Sequence, residues 1–249
     1  MEKVDLRLDW ATYEAAKYAC EHWHYSRVMP AGKAVFCGAW EDGRYIGCVI
    51  VSRGANNNIG SEYGLDQNRV CELTRVALTD HQATVTKIVA IALRMLRRIS
   101  PGLRLIVSYA DPLQGHLGGI YQAGNWVYTG KSRPQREMIL NGRHRHKRAI
   151  FAKYGTVSPE KLRKRGINIK YGPIEWKYKY LYPLDKAMRR QIESLRLPYP
   201  KADKATQDAP SFQDGKARCE SEVSAPSEQV DPEAGRAPVR EVEATETED

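Results

Sequence analysis

A long amphipathic helix between two apolar strands constrains the fold of this chain more than any other sequence feature. Apolar residues recur at helical spacing between Val85 and Leu96, and basic residues occupy the opposite face. Strand-like runs lie on either side of it, at residues 70–78 and 103–109. A helix that returns the chain to a neighbouring strand builds a mixed α/β sheet through a right-handed crossover.

Two apolar runs around Asp42-Gly43 predict a β-hairpin. The runs AVFCGAW and YIGCVIVS flank EDGR, and Asp-Gly is a strong signal for a tight hairpin turn. A helix from Ala15 to Trp23 is predicted before them, and the polar loop at 53–68 after them is long enough to border a site. The order of helix, three strands, helix, strand, helix and strand predicts the α/β class, with a mixed central sheet flanked by helices.

The stretch from Ser108 to Gly130 is the strongest candidate for a site of chemistry. Asp-Pro at 111 ends the preceding strand, and a short helix is predicted from Gly115 to Ala123. Asp111, His116 and Tyr121 therefore follow the carboxyl end of a strand, where open α/β sheets bind ligands. Ordinary turn chemistry is the alternative, because Asp-Pro initiates turns, a single His is commonly solvated and Tyr121 can belong to the core.

Charge divides the chain into three parts. Residues 201–249 carry 6 Lys+Arg against 13 Asp+Glu and few large apolar residues, which predicts a disordered acidic tail. Residues 131–190 carry 18 Lys+Arg against 4 Asp+Glu. We therefore expect a core at 1–130, a basic extension at 131–200 that completes the fold, and the tail. A polyanion is the natural partner of the extension, with a merely solvated surface or an anionic lipid as alternatives.

Cysteine and histidine usage argues against disulfides and structural zinc. The five cysteines form no C-x-x-C pair that could join the histidine pairs at 22/24 and 144/146 in a zinc site. Reduced thiols in a reducing compartment are expected. No apolar run approaches a membrane span and no signal-like segment precedes the first helix, so we expect a cytoplasmic protein.

Several segments, in the same order, resemble a known family. They are HYSRVMPAGKAVFCGAWEDGRYIG, VIVSRGANNNIGSEYGL, VCELTRVAL, SYADPLQGHLGGIYQAGNWVYTG, FAKYGTVSPEKLRKRGI and KYKYLYPLDKAMRRQI. Together they extend over residues 22–192 and resemble the phage Mu Mom family of DNA modification proteins. The resemblance implies a GNAT-like (acetyltransferase-type) catalytic core and conversion of adenine in DNA to N6-(1-acetamido)adenine (methylcarbamoylation). It also implies restriction evasion by phage or prophage DNA in the cytoplasm of a bacterial host.

By the same resemblance, the active site comprises His24, Tyr25, Asp111 and Tyr121. In one interpretation, Asp111 or His24 is a general base or proton relay for the adenine amino group, and a tyrosine hydroxyl donates to developing negative charge. In the other, the four side chains hold a non-haem iron, which N and O ligands suit. A metal or radical step would help to explain a new bond to a methyl carbon. The alternative for His24 and Tyr25 is a structural helix end beside Trp23.

Acetyl-CoA or a related acyl donor is the expected cofactor, with Arg75, Thr84 and Thr86 as its candidate contacts. In the GNAT-like fold, the helix N-terminus after such a strand holds the pyrophosphate, because unpaired N–H groups and the helix dipole attract an anion. Here the segment DHQATVTK lacks the glycines of that family's pyrophosphate loop. Two alternatives stay open: a helix capped by Asp80 that has lost cofactor binding, and a plain ion pair between Glu72 and Arg75.

Double-stranded DNA is the expected partner, with the target adenine extruded into the pocket. Ser158-Pro159 predicts the start of a short basic helix that ends at Gly166, and WKYKYLY predicts a strand. Tyr178, Tyr180 and Tyr182 on that strand either stack on bases or pack on the sheet. The candidate phosphate contacts are Arg143, Arg145, Lys147, Arg148, Lys161, Arg163, Lys164 and Arg165.

Two other functions compete with DNA modification. A GNAT-type acyl-CoA-dependent N-acetyltransferase acting on a small amine or a protein would use the same fold, but the missing glycine loop and the basic extension count against it. A non-catalytic DNA-binding regulator would need the basic surface but not the four polar side chains. A homodimer is compatible with each of these functions.

Overall fold

A computed structural model describes residues 4–30, 32–54, 57–145 and 147–201. The predicted acidic tail, apart from Lys201, lies outside the described residues. The strands and helices are β1 (Leu6–Trp10), α1 (Tyr13–Trp23), β2 (Ala34–Glu41), β3 (Arg44–Ser52), β4 (Val70–Leu78), α2 (Val85–Ile99), β5 (Leu105–Ala110), α3 (Gly119–Ala123), β6 (Val127–Lys131), β7 (Gln135–Leu140), β8 (Arg143–Arg145), α4 (Lys147–Tyr154), α5 (Pro159–Arg163), β9 (Ile169–Glu175), β10 (Tyr178–Pro183) and α6 (Lys186–Glu193).

The described strands form a seven-stranded sheet in the order β1-β2-β3-β4-β5-β10-β6 and a three-stranded sheet in the order β8-β7-β9. β1 to β4 pair antiparallel in succession, and so do β10 and β6. β4 and β5 are neighbours joined through α2, the long connection that a parallel pair requires. The predicted mixed α/β sheet with flanking helices is confirmed. The chain divides into two compact units, with the boundary between Ile106 and Val107 inside β5.

In the first unit, β2 and β3 form the predicted hairpin. Asp42 and Gly43 have φ values of 49° and 81°, as both central residues of a type I′ turn require. β1 pairs with β2, from Leu6 opposite Glu41 to Trp10 opposite Cys37. The sequence pattern does not predict β1, because a run of five residues at the start of the chain carries too little periodicity to identify a strand.

Both helices of the first unit bury the faces that their sequences predict. Thr12 caps α1 by accepting a hydrogen bond from the Ala15 amide at 3.2 Å. Small residues of α1 pack against β3 and β4 in one cluster: Ala16, Ala19, Cys20, Cys48, Ile50 and Ala77. α2 buries the predicted stripe Ile88, Val89, Ala92, Leu93 and Leu96. Burial of these apolar side chains is the main stabilising contribution in this unit.

In the second unit, β5 leads into a 3₁₀ turn at Pro112–Gln114 and then into α3. The helix predicted over 115–123 begins only at Gly119. The delay has a conformational cause, because Gly115 and Gly118 have φ values of 70° and 82°, which lie outside the helical region and favour glycine. The polar residues after β5 therefore lie in a turn shaped by glycine.

The second unit also contains a small separate core in the predicted basic extension. β7 pairs antiparallel with both β8 and β9. The core residues are Met138, Leu140, Ile150, Leu162 and Ile167. α5 begins as predicted, with Ser158 accepting from the Lys161 amide and Pro159 in the first helical position. No helix in the described part of the chain is long and apolar enough to cross a membrane.

Candidate functional site

His24 and Tyr25 lie at the carboxyl end of α1 in the first unit, at the predicted helix end. His24 is the C-cap residue and is only 8% exposed, whereas Tyr25 is 49% exposed. Their ring centroids are 4.3 Å apart, with a tilt of 32° between the rings. The pair combines a sheltered imidazole with a phenol that faces solvent.

The backbone after α1 determines which nitrogen of His24 carries a proton. The Ser26 amide donates to Nδ1 at 3.1 Å, and the Ser26 hydroxyl lies 2.8 Å from the same nitrogen. A neutral imidazole whose Nδ1 accepts a backbone N–H carries its proton on Nε2. In this tautomer, assigned from the hydrogen bonds, His24 donates through Nε2, which suits proton transfer better than ligation of a metal at that atom.

Arg75, a predicted cofactor contact, is half-buried on β4 of the same unit. Its Nη1 donates to the Thr74 carbonyl at 2.7 Å, whereas its buried Nε has no hydrogen-bond partner among the described residues. Burial raises the pKa of Cys20 on α1 and the nearby Arg75 charge lowers it, so the guanidinium lies close to that helix. An unsatisfied buried guanidinium N–H suits an anionic or carbonyl ligand.

Thr84 and Thr86, the other predicted cofactor contacts, lie at the start of α2. Thr84 is the N-cap residue, and its hydroxyl accepts a hydrogen bond from the Thr86 hydroxyl at 3.3 Å. Within the described residues, Thr84 makes no side-chain capping bond to the helix. Its carbonyl accepts from the Lys87 and Ile88 amides at 2.9 and 3.2 Å, so Thr84 begins the helix through its backbone.

Glu41, at the end of β2, satisfies two amides that precede α2. Its carboxylate accepts from the Gln82 amide at 2.9 and 3.1 Å and from the Ala83 amide at 2.6 Å, and the residue is only 5% exposed. The alternative in which Asp80 caps this helix is therefore wrong, because Thr84 is the N-cap and the carboxylate comes from Glu41. Sequence reasoning missed Glu41, since it belongs to the hairpin and lies about forty positions upstream.

Asp111 ends β5 in the second unit and holds the turn that follows. Its Oδ1 accepts from the Leu113 amide at 3.0 Å, and its carbonyl accepts from the His116 amide at 3.1 Å. Its Oδ2 lies 3.2 Å from the Lys177 ammonium; 14% of the Asp111 side chain and 44% of the Lys177 side chain are exposed. One oxygen thus fixes the turn while the other reaches a cation at the surface. Lys177 was missed because WKYKYLY contains two lysines that alternate with aromatic residues, and nothing local distinguishes one from the other.

Tyr121 lies on α3 and is buried. The Ser108 hydroxyl on β5, itself fully buried, donates to the Tyr121 hydroxyl at 2.7 Å. The Tyr121 ring packs against Trp126 and Tyr180, with ring centroids 5.0 and 5.1 Å away. The ring is thus part of the core, as the alternative predicts, while the hydroxyl has the polar partner that a buried phenol needs. Ser108 is a further polar group that sequence reasoning did not single out.

Tyr180 packs inside the second unit instead of facing solvent. Its hydroxyl donates to the Leu117 carbonyl and accepts from Gln122 Nε2 at 3.2 Å. Burial is the main cause that raises the pKa of Tyr180 to about 12. Gly118 permits the close approach, because a Cβ at that position would lie 2.6 Å from the tyrosine Cζ. The packing alternative therefore holds for Tyr180, which supports the turn after β5.

The part of the chain that the structure describes contains no group of three or more His, Cys, Asp or Glu side chains that could hold a metal ion. The predicted iron ligands divide between the units, with His24 and Tyr25 in the first and Asp111 and Tyr121 in the second. The Lys177 ammonium lies against the Asp111 carboxylate and repels a second cation there. That cation disfavours a metal at the Asp111 carboxylate, and iron held by the four side chains stays a prediction.

Four of the eight predicted DNA contacts are exposed on or just after α5: Lys161, Arg163, Lys164 and Arg165. α5 directs Leu162 into the small core, which leaves these cations on its outer surface. Arg165 has a local role too, because its Nη1 donates to the Tyr154 carbonyl at the end of α4 at 2.7 Å. The side chains of the other four, Arg143, Arg145, Lys147 and Arg148, lie outside the described residues.

A groove of about 400 Å³ in the second unit was not predicted. It is lined by Pro134, Gln135, Arg136, Met138, Val157, Pro159 and Tyr171. Tyr171 is 45% exposed. An exposed aromatic ring and a guanidinium in one groove suit a nucleobase and its phosphate. Sequence reasoning missed the groove because it forms only when β7 pairs with β9 and the α4–α5 connection lies against them.

Comparison with solved structures gives matches of low similarity. A predicted acetyltransferase of Acinetobacter baylyi ADP1 matches with a TM-score of 0.43 and 10% identity, over 74% of this chain and 95% of that chain. The acyl-homoserine-lactone (AHL) synthase LasI matches with a TM-score of 0.37 and 13% identity, over 80% of this chain and 100% of that chain. TM-scores this low carry no conclusion about function.

Comparison of sequences is more informative. The chain is 26% identical to the methylcarbamoylase mom of Escherichia phage Mu over 208 residues, which covers 79% of this chain and 84% of that protein. The model of the Mom protein family matches residues 5–201, which is most of the chain and nearly all of its described part. The resemblance found in the sequence motifs is confirmed, and the chain belongs to the Mom protein family.

Proposed function

We propose that this chain is a DNA modification enzyme, a transferase that converts adenine in DNA to N6-(1-acetamido)adenine and so protects phage DNA from host restriction. The observation that carries the proposal is the family match over residues 5–201, together with the similarity to a methylcarbamoylase. The exposed cations of the second unit support a nucleic-acid substrate. The modification takes place in the cytoplasm of the bacterial host.

Asp111 is the group in the second unit that we assign to proton transfer. Formation of an N–C bond at adenine N6 replaces an N–H bond, so one proton must leave the amino group. A carboxylate that is only partly exposed and held by the Leu113 amide can accept that proton. Lys177 positions the Asp111 Oδ2, and the Tyr121 hydroxyl, bonded to Ser108, supplies a further proton donor of the same segment.

In the first unit, we assign catalytic roles to His24 and Tyr25, as the family resemblance implies. Because Nδ1 of His24 accepts the Ser26 amide, the proton of the neutral imidazole lies on Nε2. The donor in this proposal is a compound that carries the CH2CONH2 unit on a leaving group: as the methylene carbon bonds to N6, the bond to that group breaks and the group departs with the electron pair. Arg75, whose buried Nε lacks a partner among the described residues, is the group best suited to bind a negatively charged or carbonyl part of that donor.

The small three-stranded sheet and its helices form the DNA surface in this proposal. Lys161, Arg163 and Lys164 contact phosphates, and the groove lined by Arg136 and Tyr171 receives a nucleotide beside the extruded adenine. Residues 131–200 thus complete the fold and contact double-stranded DNA, while residues 1–130 form the catalytic core. Strong salt dependence of DNA binding is the direct consequence.

Mass spectrometry of nucleosides tests the proposal against its two rivals. DNA from cells that express the chain is digested, and deoxyadenosine bearing CH2CONH2 in place of one N6 hydrogen is the expected product. An amine or protein acetyltransferase would leave the DNA unmodified and acetylate another molecule. A DNA-binding regulator would bind DNA without any new nucleoside. Either result contradicts the proposal, provided that the expressed protein is folded.

A further inference from the structure

We propose that Glu41 fills, from within the chain, the anion site at the turn between β4 and α2, so that no pyrophosphate of a donor binds there. The inference rests on the proposed function only in assuming that a donor exists. In the GNAT-like fold that the resemblance implies, this turn is where the pyrophosphate of CoA would bind. The residues present here do not fit that group.

The hydrogen bonds of the turn carry the inference. The carboxylate of Glu41 accepts from the Gln82 amide with both oxygens, at 2.9 and 3.1 Å, and from the Ala83 amide at 2.6 Å. These are charge-assisted bonds to two successive amides, which is how a phosphate oxygen is held at a helix start. Glu41 therefore occupies two of the backbone donors that a pyrophosphate at this turn would use.

The rest of the hairpin holds Glu41 against the turn. The Arg44 guanidinium donates to the Asp80 carbonyl at 2.7 Å, and the Thr79 amide donates to the Ile46 carbonyl at 2.9 Å. The hairpin thus contacts the turn on both sides of its Asp-Gly tip. Displacement of the carboxylate would require these contacts to rearrange together.

The sequence and the charge of this turn also argue against a bound pyrophosphate. The segment from Asp80 to Lys87 contains no glycine, so its backbone cannot open as the glycine loop of the family implied by the fold does. Because Glu41 is buried, an incoming pyrophosphate would also meet a carboxylate of like charge at close range. The donor must therefore be held by other groups of the chain.

The wild-type chain gives the first test. The amide resonances of Gln82 and Ala83 are followed by two-dimensional NMR while CoA, and separately inorganic pyrophosphate, is added at constant ionic strength. We expect neither resonance to shift more than that of the Met188 amide, which donates to the Asp185 carboxylate at 2.7 Å at the start of α6. Saturable shifts of both resonances would overturn the inference.

Removal of the carboxylate gives the second test. Glu41→Ala should lower the Tm by about 5 °C or more, because it leaves the Gln82 and Ala83 amides without their acceptor. Pyrophosphate should then raise the Tm of this variant by about 3 °C or more, since it binds only the folded state. The same addition should leave wild type and Glu21→Ala, which loses an exposed charge from α1, unchanged apart from a common salt effect.

A second variant covers the case in which Glu41→Ala does not fold. Glu41→Gln keeps the shape of the side chain but offers one acceptor oxygen, so its pyrophosphate response should lie between those of wild type and the alanine variant. If wild type responds as strongly as the variants, the site is not filled. If no variant responds, the turn is not an anion site. Both results overturn the inference.

These measurements are independent of the reaction. If the nucleosides of expressing cells carry no modified adenine while Glu41→Ala still responds to pyrophosphate, the proposed function fails. The inference that Glu41 fills the anion site then still holds. If adenine is modified and CoA shifts the Gln82 and Ala83 amide resonances of wild type, the proposed function holds. The inference that Glu41 fills the anion site is then wrong.

Discussion

Two turns of this molecule each connect a strand to a helix but differ in how their polar groups are satisfied. The turn between β4 and α2 in the first unit and the turn between β5 and α3 in the second unit each connect a strand to a helix, and both were predicted as ligand sites. In the first, the amides of Gln82 and Ala83 are bound by the buried carboxylate of Glu41. In the second, Asp111 presents an oxygen to Lys177 near the surface.

The difference shows that a turn at the end of a strand is not by itself evidence of a ligand site. Such a turn exposes backbone donors, but a single side chain from another hairpin can satisfy them. The turn after β5 instead contains Gly115 and Gly118 at positive φ, a partly exposed carboxylate and a buried phenol. We therefore expect substitutions in the first turn to reduce stability and substitutions of polar groups in the second to reduce activity.

The largest effect is expected from Asp111→Asn. If Asp111 accepts the N6 proton, modification of adenine should fall roughly 10²- to 10⁴-fold, while Asn keeps an oxygen for the Leu113 amide and the Tm changes little. Activity per folded molecule and thermal unfolding provide the measurements. Asp66→Asn is a matched control, because Asp66 also accepts an amide two positions on, that of Asn68 at 2.8 Å. Equal losses in both variants would refute the assignment.

Gly118→Ala should destabilise the second unit, although it removes none of the proposed catalytic side chains. The new Cβ would lie 2.6 Å from the Tyr180 ring at a backbone φ of +82°. A loss of roughly 2–4 kcal/mol in the free energy of unfolding is expected from the overpacking and the strain together. Urea unfolding measures it, with Gly102→Ala as the control, since a Cβ there meets nothing within 4 Å. A shift as small as that of the control would contradict this packing.

Replacement of Lys161, Arg163 and Lys164 by Ala should weaken DNA binding roughly tenfold or more at low salt and reduce the salt slope by about 0.9 for each lost phosphate contact. Arg165 is kept, because it also bonds the Tyr154 carbonyl. Titration at several salt concentrations checks the result. The control triple Lys186, Arg189 and Arg190 to Ala removes the same charge from the exposed surface of α6. An equal effect of both triples would place the DNA surface elsewhere.

The smallest effect concerns the interior of the first unit. Burial raises the pKa of Cys37 from its ordinary value of 9.0 to about 12. The folded state therefore keeps a proton that the unfolded chain loses, so stability is complete below pH 9 and declines as the pH rises toward 12. At pH 10 the loss is about 1.4 kcal/mol for this thiol. Urea unfolding at pH 8 and pH 10 should show a smaller decline for Cys37→Ala, and an identical decline would refute the cause.

Local patterns predicted the hairpin and both helices of the first unit, although not β1. The Asp42-Gly43 turn specifies its hairpin because few residues accept positive φ at both central positions. The stripe from Val85 to Leu96 specifies α2, since burial of one face requires that spacing. Each signal consists of residues that lie close together along the chain. Each can therefore be recognised without knowledge of the fold.

The features that sequence did not predict depend on pairing across long separations. Glu41 meets Gln82 only when the hairpin lies beside β4, and Lys177 meets Asp111 only when β10 is in place. The three-residue strand β8 and the irregular pairing of β7 with β9 give no clear alternation of apolar and polar residues. The small sheet and its groove were therefore not predicted within the basic segment. Resemblance to a family supplied the candidate residues but not their partners.

The most direct test of the account compares modified adenine per folded molecule for Asp111→Asn and Glu41→Gln in the same assay. We predict that wild type produces N6-modified deoxyadenosine, that Glu41→Gln retains this activity at a temperature where it is folded, and that Asp111→Asn loses it. Full activity of folded Asp111→Asn, or loss of activity in folded Glu41→Gln alone, would contradict the assignment of chemistry to the turn after β5 and of structure to the turn after β4.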